Sequence, residues 1–296
     1  MSAGPETTVF VLLPVHNRRE ITRRFIACLV EQTHPRSRLI VIDDGSADDT
    51  ARMVKQAIPD AVIIEGDGNW WWSGSMQKGY EWLLGQEPKA DDMVLLANDD
   101  IEFGPDFLGR AIACLGAKPG ALLGARLSSE EGGEALETGV HADMHRFTFR
   151  TVKPAEEIDC LPTRALLLRW TDMRRLGGFH PRLLPQYWAD YEYTLRARRH
   201  GLSCFTSAHV VIRANMATTG EHDLDALRGW KLLRGLFSVK TPLNPVYRTW
   251  FVLLASPWAW KPLNVVNVWC RAGFRIFWQG ILCLQFPRKT SGNVLR

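Results

Sequence analysis

Three acidic clusters have residue types and spacing that could work together: Asp43-Asp44-Gly45-Ser46, Asn98-Asp99-Asp100 and Asp190-Tyr191-Glu192. In the second, two oxygen-bearing side chains stand two residues apart and can reach one cation. Hard cations such as Mg2+ take oxygen ligands and usually bridge to phosphates instead of sitting in an all-protein cage. In the first, one carboxylate could accept from the imide N–H of a uracil or thymine ring. A plain strand-to-helix turn needs only Ser46 as its cap, so two acids exceed what the turn requires. Such an array can hold a nucleotide base, a divalent metal and a substrate hydroxyl in one cleft.

The elements that must position these clusters follow from the apolar pattern. Residues 39–42 and 93–97 are apolar runs that read as buried parallel strands, and each ends at a cluster. Carboxylates at the C-terminal ends of parallel strands face the crevice where α/β proteins bind ligands. The third cluster opens a helix, expected over 191–199, after Gly177-Gly178-Phe179. Further strands are expected at 8–13, 61–64, 121–127 and 146–152, with one or two more within 203–212; 165–170 reads as buried. Helices are expected over 18–31, from Ser46 onward, over 75–84 and over 105–115. Ser46 is the expected N-cap of the second helix, with Asp49 in the capping-box position. This alternation predicts an α/β fold: a doubly wound, mostly parallel sheet flanked by helices.

At 296 residues the chain can hold one large domain, or one domain and an appendage. The charge distribution favours the second arrangement. All 32 acidic residues lie in 1–225 with 25 of the 36 Lys and Arg, a net charge of −7; residues 226–296 hold the other 11 bases and no acid. Six of the 12 tryptophans fall in that basic stretch. The expected division is therefore a main α/β domain over 1–220 and a basic, Trp-rich amphipathic helical tail over 221–296. The six cysteines form no Cys-x-x-Cys pair, so they read as small apolar residues of a reducing compartment, not as zinc ligands. The polar start, residues 1–8, does not read as a signal peptide. No run of about 18 apolar residues suggests a spanning helix.

The combination resembles the family 2 glycosyltransferases, which have the GT-A fold, over about residues 8–215. The parts that carry it are the Pro14-Val15-His16-Asn17 loop, the Asp43–Ser46 turn, and Asn98-Asp99-Asp100 in the place of the family's Asp-x-Asp. Gly177-Gly178-Phe179-His180, then Tyr187-Trp188-Ala189-Asp190-Tyr191-Glu192 and Leu195-Arg196, is similar to the family's GGFDE…EDxDLxxR stretch. Gly68-Asn69-Trp70-Trp71-Trp72-Ser73-Gly74 resembles a bacterial rhamnosyltransferase-like subset.

The resemblance implies inverting transfer of a sugar from a nucleotide-diphosphate donor, a UDP- or dTDP-sugar with dTDP-rhamnose included. The acceptor would be a hydroxyl of a glycan or polyprenyl-linked glycan in surface polysaccharide synthesis. Asp44 would bind the base, with Pro14, His16 and Asn17 bordering its pocket. Asp100 would be the main ligand of Mg2+ or Mn2+, with Asn98 beside it. Asp99 would contact the ribose or phosphate side, and Trp72 to Lys78 would border ribose and diphosphate, with Lys78 a counter-charge. Asp190 would be the general base, with Phe179, Trp188 and Glu192 on the acceptor side.

This chain departs from the family pattern at Asn98, at Ala189 before the base, and at Glu192, where Asp is common. The late metal-binding His has no clear counterpart: the register points near Arg213, with His209 and His222 nearby. Trp70–Trp72 could stack on a ligand or staple a loop, since three in a row cannot all point one way.

The tail reads as amphipathic helices with interspersed bases, suited to an anionic membrane surface or to packing on the catalytic domain. The expected location is cytoplasmic, on the inner face of the membrane. Two other functions share parts of this pattern. A nucleotidyltransferase would want a Gly-rich, basic signature near the first strand, which is missing; a non-catalytic nucleotide-sugar-binding module would differ only at the base position. The basic tail carries no recognised nucleic-acid motif. Dehydrogenases and methyltransferases would need Gly-x-Gly-x-x-Gly after the first strand, also missing.

Overall fold

A computed structural model describes residues 6–128, 135–214 and 229–285. The chain divides into two compact units, Met1–Thr219 and Gly220–Arg296. The first begins β1 (Val9–Val15), α1 (Arg19–Val30), β2 (Ser37–Asp43), α2 (Thr50–Ala57), β3 (Val62–Glu65) and α3 (Trp71–Gln86). It continues with β4 (Met93–Ala97), β5 (Ile101–Glu102), α4 (Phe107–Gly116) and β6 (Ala121–Leu127). A hairpin of β7 (Val140–Asp143) and β8 (Thr148–Thr151) follows, then β9 (Ala165–Arg169), α5 (Trp170–Leu176), α6 (Ala189–Arg199) and β10 (Ser203–Ala214).

Eight strands form one sheet in the order β3-β2-β1-β4-β9-β6-β10-β5. β3, β2, β1 and β4 are mutually parallel, β9 runs against both β4 and β6, and β10 is parallel to β6. Along β1 the side chains alternate between two cores, as the period of two requires. Val9, Val11 and Leu13 pack with Phe25, Ile26 and Leu29 of α1 and with Leu108 and Ile112 of α4. Phe10 and Leu12 pack with Met76, Tyr80 and Leu83 of α3 and with Tyr193 of α6. Burial on both faces is why these strands are continuous apolar runs. Gly79 lets α3 lie close on the sheet, because a Cβ there would stand 3.0 Å from Leu12 and 3.2 Å from Ile42.

Two local expectations are corrected. α2 starts at Thr50, not Ser46, because the intervening acids fold the chain into a turn. Asp48 Oδ1 accepts from the Thr50 N–H and hydroxyl, Asp49 adopts φ +61°, and Ser46 Oγ instead accepts from Asn17 N–H. α3 starts at Trp71, ahead of the expected Ser75. Of the five described cysteines, Cys160 is fully buried, Cys28, Cys114 and Cys204 are partly buried against the two cores, and Cys270 is exposed.

The second unit contains α7 (Gly229–Leu236), α8 (Pro245–Ala255) and α9 (Lys261–Gln285). Asn244 Oδ1 accepts from Val246 and Tyr247 N–H, and Pro245 fills the first position of α8, so this start is set locally. Leu232, Leu236 and Ala272 form one small core cluster, and Phe251, Val252, Ala255 and Val268 are buried as well.

The turn after β2 depends on Gly45. It holds φ +75°, and a Cβ there would lie 2.9 Å from Gly68 N and 3.2 Å from the Asp67 carbonyl carbon. Gly45→Ala is expected to lower stability by about 1–3 kcal/mol, read from the urea midpoint. An unshifted midpoint would show that the two loops can separate freely.

Candidate active site

The parallel strands β1, β2 and β4 end side by side, and their C-terminal loops carry the first two acidic clusters. β2 ends in Asp43, whose Oδ1 accepts from Ser46 N–H at 2.8 Å. Asp44 is 5% exposed. Its Oδ1 accepts from Gly68 N–H at 2.9 Å, and its Oδ2 from Trp70 and Trp71 N–H at 2.9 and 3.0 Å. Three of the roughly four acceptor positions of a carboxylate are thus filled from within the chain. Asp44 is first of all the anchor of the loop leading into α3. His16 Nδ1–H donates to the Asp44 carbonyl at 2.6 Å, and Asn17 Nδ2–H donates to His16 Nε2 at 3.0 Å. Together these contacts select the tautomer. Asn17 Oδ1 accepts from Ala47 N–H, and Pro14 pairs with Ile42 inside the sheet.

Beyond β4, the three residues of the second cluster diverge. Asn98 Oδ1 accepts from the Trp72 indole N–H at 2.9 Å, and Asn98 N–H donates to the Arg164 carbonyl at 3.0 Å. Asp99, expected toward ribose or phosphate, turns inward instead: it is 3% exposed, accepts from Thr22 Oγ1–H at 3.0 Å and lies 3.4 Å from Arg18. Burial, with Asp100 adding to it, pushes its carboxyl up to about 6 against the pull of Arg18 and Thr22. Asp100 meets Arg18 at 3.6 Å.

Asn98 and Asp99 are engaged internally, so the donor set for a metal here would draw on Asp100, which itself meets Arg18. Among the described residues no group of three or more His, Cys, Asp or Glu could hold an ion. This set fits a hard cation that brings diphosphate oxygens and water as most of its ligands. Arg213 pairs with Glu102 across β10 and β5, His209 is exposed, and His222 lies outside the described residues.

Trp72 joins these loops to the third cluster. Its backbone N–H donates to Gln186 Oε1 at 3.0 Å, and Ser73 N–H donates to the Pro185 carbonyl at 2.9 Å. Its ring meets Phe179 edge-on at 5.5 Å, and Phe179 stacks on Tyr193 at 4.5 Å. Phe179 is therefore mainly core, although it also borders a groove with Trp70, Lys78 and Pro181. Lys78 does not stand as an unpaired counter-charge. It bonds Glu81 at 2.9 Å and lies 5.8 Å from the Trp70 ring.

Asp190 sits in the first turn of α6, partly buried, with Oδ1 accepting from Tyr191 N–H at 2.8 Å. Burial raises its carboxyl to about 6, while the backbone bonds and the nearby Arg164 pull the other way. Trp188, at φ +72°, stacks on Phe147 at 6.2 Å and meets Phe149 at 5.3 Å and Tyr191 at 6.1 Å. These rings form an aromatic wall beside the acid. Glu192 does not face that side. It is 2% exposed and bonds Arg196 through both oxygens at 3.1 Å. Arg196 in turn donates to the Leu176 and Gly178 carbonyls, at 2.7 and 2.8 Å. The pair therefore locks α6 to the glycine turn that precedes it.

Arg18, Thr22, Arg164 and Gln186 also support these side chains, although no motif marks them. Arg18 had a usable signal, since it directly follows the His16-Asn17 loop. Arg164 and Gln186 had none, because long-range packing alone brings them to Asn98 and Trp72.

Against known proteins, residues 10–170 match the model of glycosyl transferase family 2. The N-acetylglucosaminyl-diphospho-decaprenol L-rhamnosyltransferase of Mycobacterium tuberculosis is 24% identical over 67% of this chain and 73% of its own. A mannosyltransferase from Pyrobaculum calidifontis, solved with GDP-Man and Mn2+, superposes with a TM-score of 0.55 at 16% identity over 91% of this chain and 76% of that one. S. aureus TarS 1-349 in complex with UDP gives 0.55 at 14% identity over 88% and 70%. The fold is GT-A, and the family match covers more than half of the sequence. The chain belongs to glycosyl transferase family 2 and is a glycosyltransferase that takes a nucleotide-sugar donor.

Proposed function

We propose that this enzyme inverts the anomeric centre as it moves a sugar, with dTDP-rhamnose the first donor to try, onto a hydroxyl of a polyprenyl-linked glycan. The choice of donor and acceptor is supported by the name of the mycobacterial relative. The observation that carries the mechanism is the place of Asp190 in the first turn of α6, joined through the 185–188 segment to Trp72 and Asn98; burial that raises its carboxyl to about 6 suits it to the role. A general base is most effective with a pKa near the working pH.

Asp190 accepts the acceptor's hydroxyl proton as that oxygen attacks the anomeric carbon from the face opposite the diphosphate. The aromatic wall of Trp188, Tyr191 and Phe149 holds the acceptor's apolar faces. Pro14, His16, Asn17 and Asp44 border the base. Trp72 orients Asn98 at the diphosphate end, where Asp100 would hold Mg2+ or Mn2+. When bound, that cation neutralises charge on the departing diphosphate, so a second carboxylic acid of the glycosidase kind is not needed.

Activity requires ionised Asp190. kcat/KM is therefore expected to fall about tenfold per pH unit below the inflection near 6; a flat profile from pH 5 to 8, each value approximate, would remove Asp190 as base. Asp190→Asn should lower turnover by about 10²–10⁴-fold with nucleotide affinity nearly intact. It should also change stability. The folded state raises this pKa, so the native preference for the neutral acid stabilises at low pH and is lost as pH rises through about 6. The Asn variant should consequently gain on the parent protein in thermal stability above that pH. Equal melting at pH 5 and 8, both approximate, would contradict the burial that raises the pKa.

Trp72→Phe keeps the ring on Phe179 and deletes the bond to Asn98. It should weaken donor binding about two- to tenfold, the worth of one neutral hydrogen bond, in a nucleotide titration. Asp100→Ala should abolish the metal-dependent part of that titration; an unchanged Mn2+ response would move the cation elsewhere. Thermal shifts with UDP-, GDP- and dTDP-sugars test the donor directly, and preference for a GDP-sugar would overturn the dTDP assignment.

A further inference from the structure

Exposed large apolar side chains are distributed very unevenly. Among the described residues, three belong to the first unit (Val30, Leu84, Leu136) and twelve to the second. Trp258 is 85% exposed and Trp230 77%. On α8 and α9 they follow the helical repeat. On α8 they are Val246, Trp250 and Leu253; on α9 they include Leu263, Val266, Phe274 and Phe277. The opposite faces are already used, with Phe251, Val252, Val268 and Ala272 buried. A surface helix of a water-soluble domain turns polar residues outward, and contiguous apolar patches of this kind mark interaction sites.

Charge identifies what covers this surface. Residues 226–296 contain no Asp or Glu. Lys231, Arg234, Lys240 and Arg271 are exposed on the same unit. Two copies meeting through such a face would bring like charges together, so self-association is disfavoured. No described helix is long and apolar enough to cross a membrane. Exposed Trp and Phe mixed with Lys and Arg, without acid, suit the plane between lipid headgroups and acyl chains.

We propose that the α7–α9 unit is a monotopic membrane-docking surface. Its aromatic stripes lie in the headgroup region of one leaflet, and its bases contact anionic lipid headgroups.

The test uses the full chain and vesicles of phosphatidylcholine with about one third phosphatidylglycerol. The protein should sediment with these vesicles at low salt, and far less with phosphatidylcholine alone. Raising NaCl toward about 1 M, where the screening length is about 3 Å, should release most of it. Trp258→Ser with Phe277→Ser removes two exposed side chains, so the fold should persist by circular dichroism while vesicle binding falls at least tenfold. Lys231→Gln should weaken binding about fivefold, the share of one surface cation. Asp190→Asn should sediment like the parent, which separates this surface from the transfer reaction. Absence of sedimentation at low salt, equal binding to neutral vesicles, or a concentration-dependent dimer without vesicle binding would each overturn the proposal.

Discussion

The first turn of α3 is the constraint on which the site depends. A helix start leaves backbone N–H groups without intrahelical partners, and Trp70 provides no side-chain cap here. Distant side chains take its place. Asp44 accepts from Trp70 and Trp71, Gln186 accepts from Trp72, and the Pro185 carbonyl accepts from Ser73. A hydrogen bond to a charged acceptor is worth about 1.5–3 kcal/mol, and more is lost if the partner is left buried and unsatisfied. Strand β2, helix α3 and the 185–188 segment are therefore fastened at one point. The Trp72 indole extends the fastening to Asn98 beyond β4.

The same economy explains why several acids differ from their expected roles. Within the acidic clusters, the members with partners inside the chain hold the frame. Asp44 ties a loop, Asp99 is held by Thr22 and Arg18, and Glu192 binds Arg196, which grips the Gly178 carbonyl. Asp190 differs from Glu192 by its partner. Glu192 has a guanidinium in contact, whereas Asp190 has mainly one backbone N–H and the field of Arg164. Burial then raises its pKa and suits it to take a proton, as the proposed mechanism requires.

The tail unit obeys a different balance. Its described buried apolar residues are few, Leu232, Leu236, Phe251, Val252, Ala255, Val268 and Ala272, while twelve large apolar side chains face outward. The start of α8 is set locally, by Asn244 and Pro245.

Much of the fold was legible in the sequence, because strands buried on both faces must be apolar throughout. β4 and β6 match their expected bounds, and β1 to β3 differ only at their ends. The identity of the acidic clusters and their places at strand ends were also legible. The antiparallel insertion of β9 between β4 and β6 was not, since a buried apolar run carries no sign of its direction. Nor was the start of α2, where Asp48 competes with Ser46 for the turn and binds Thr50. Chain pattern alone determined a doubly wound sheet with carboxylates at its binding edge and an acid-free, aromatic tail, because periodicity and charge are local properties. Which partner each carboxylate finds was decided by tertiary structure alone. Burial and partner geometry depend on residues such as Arg18, Arg164 and Gln186, which only folding brings alongside.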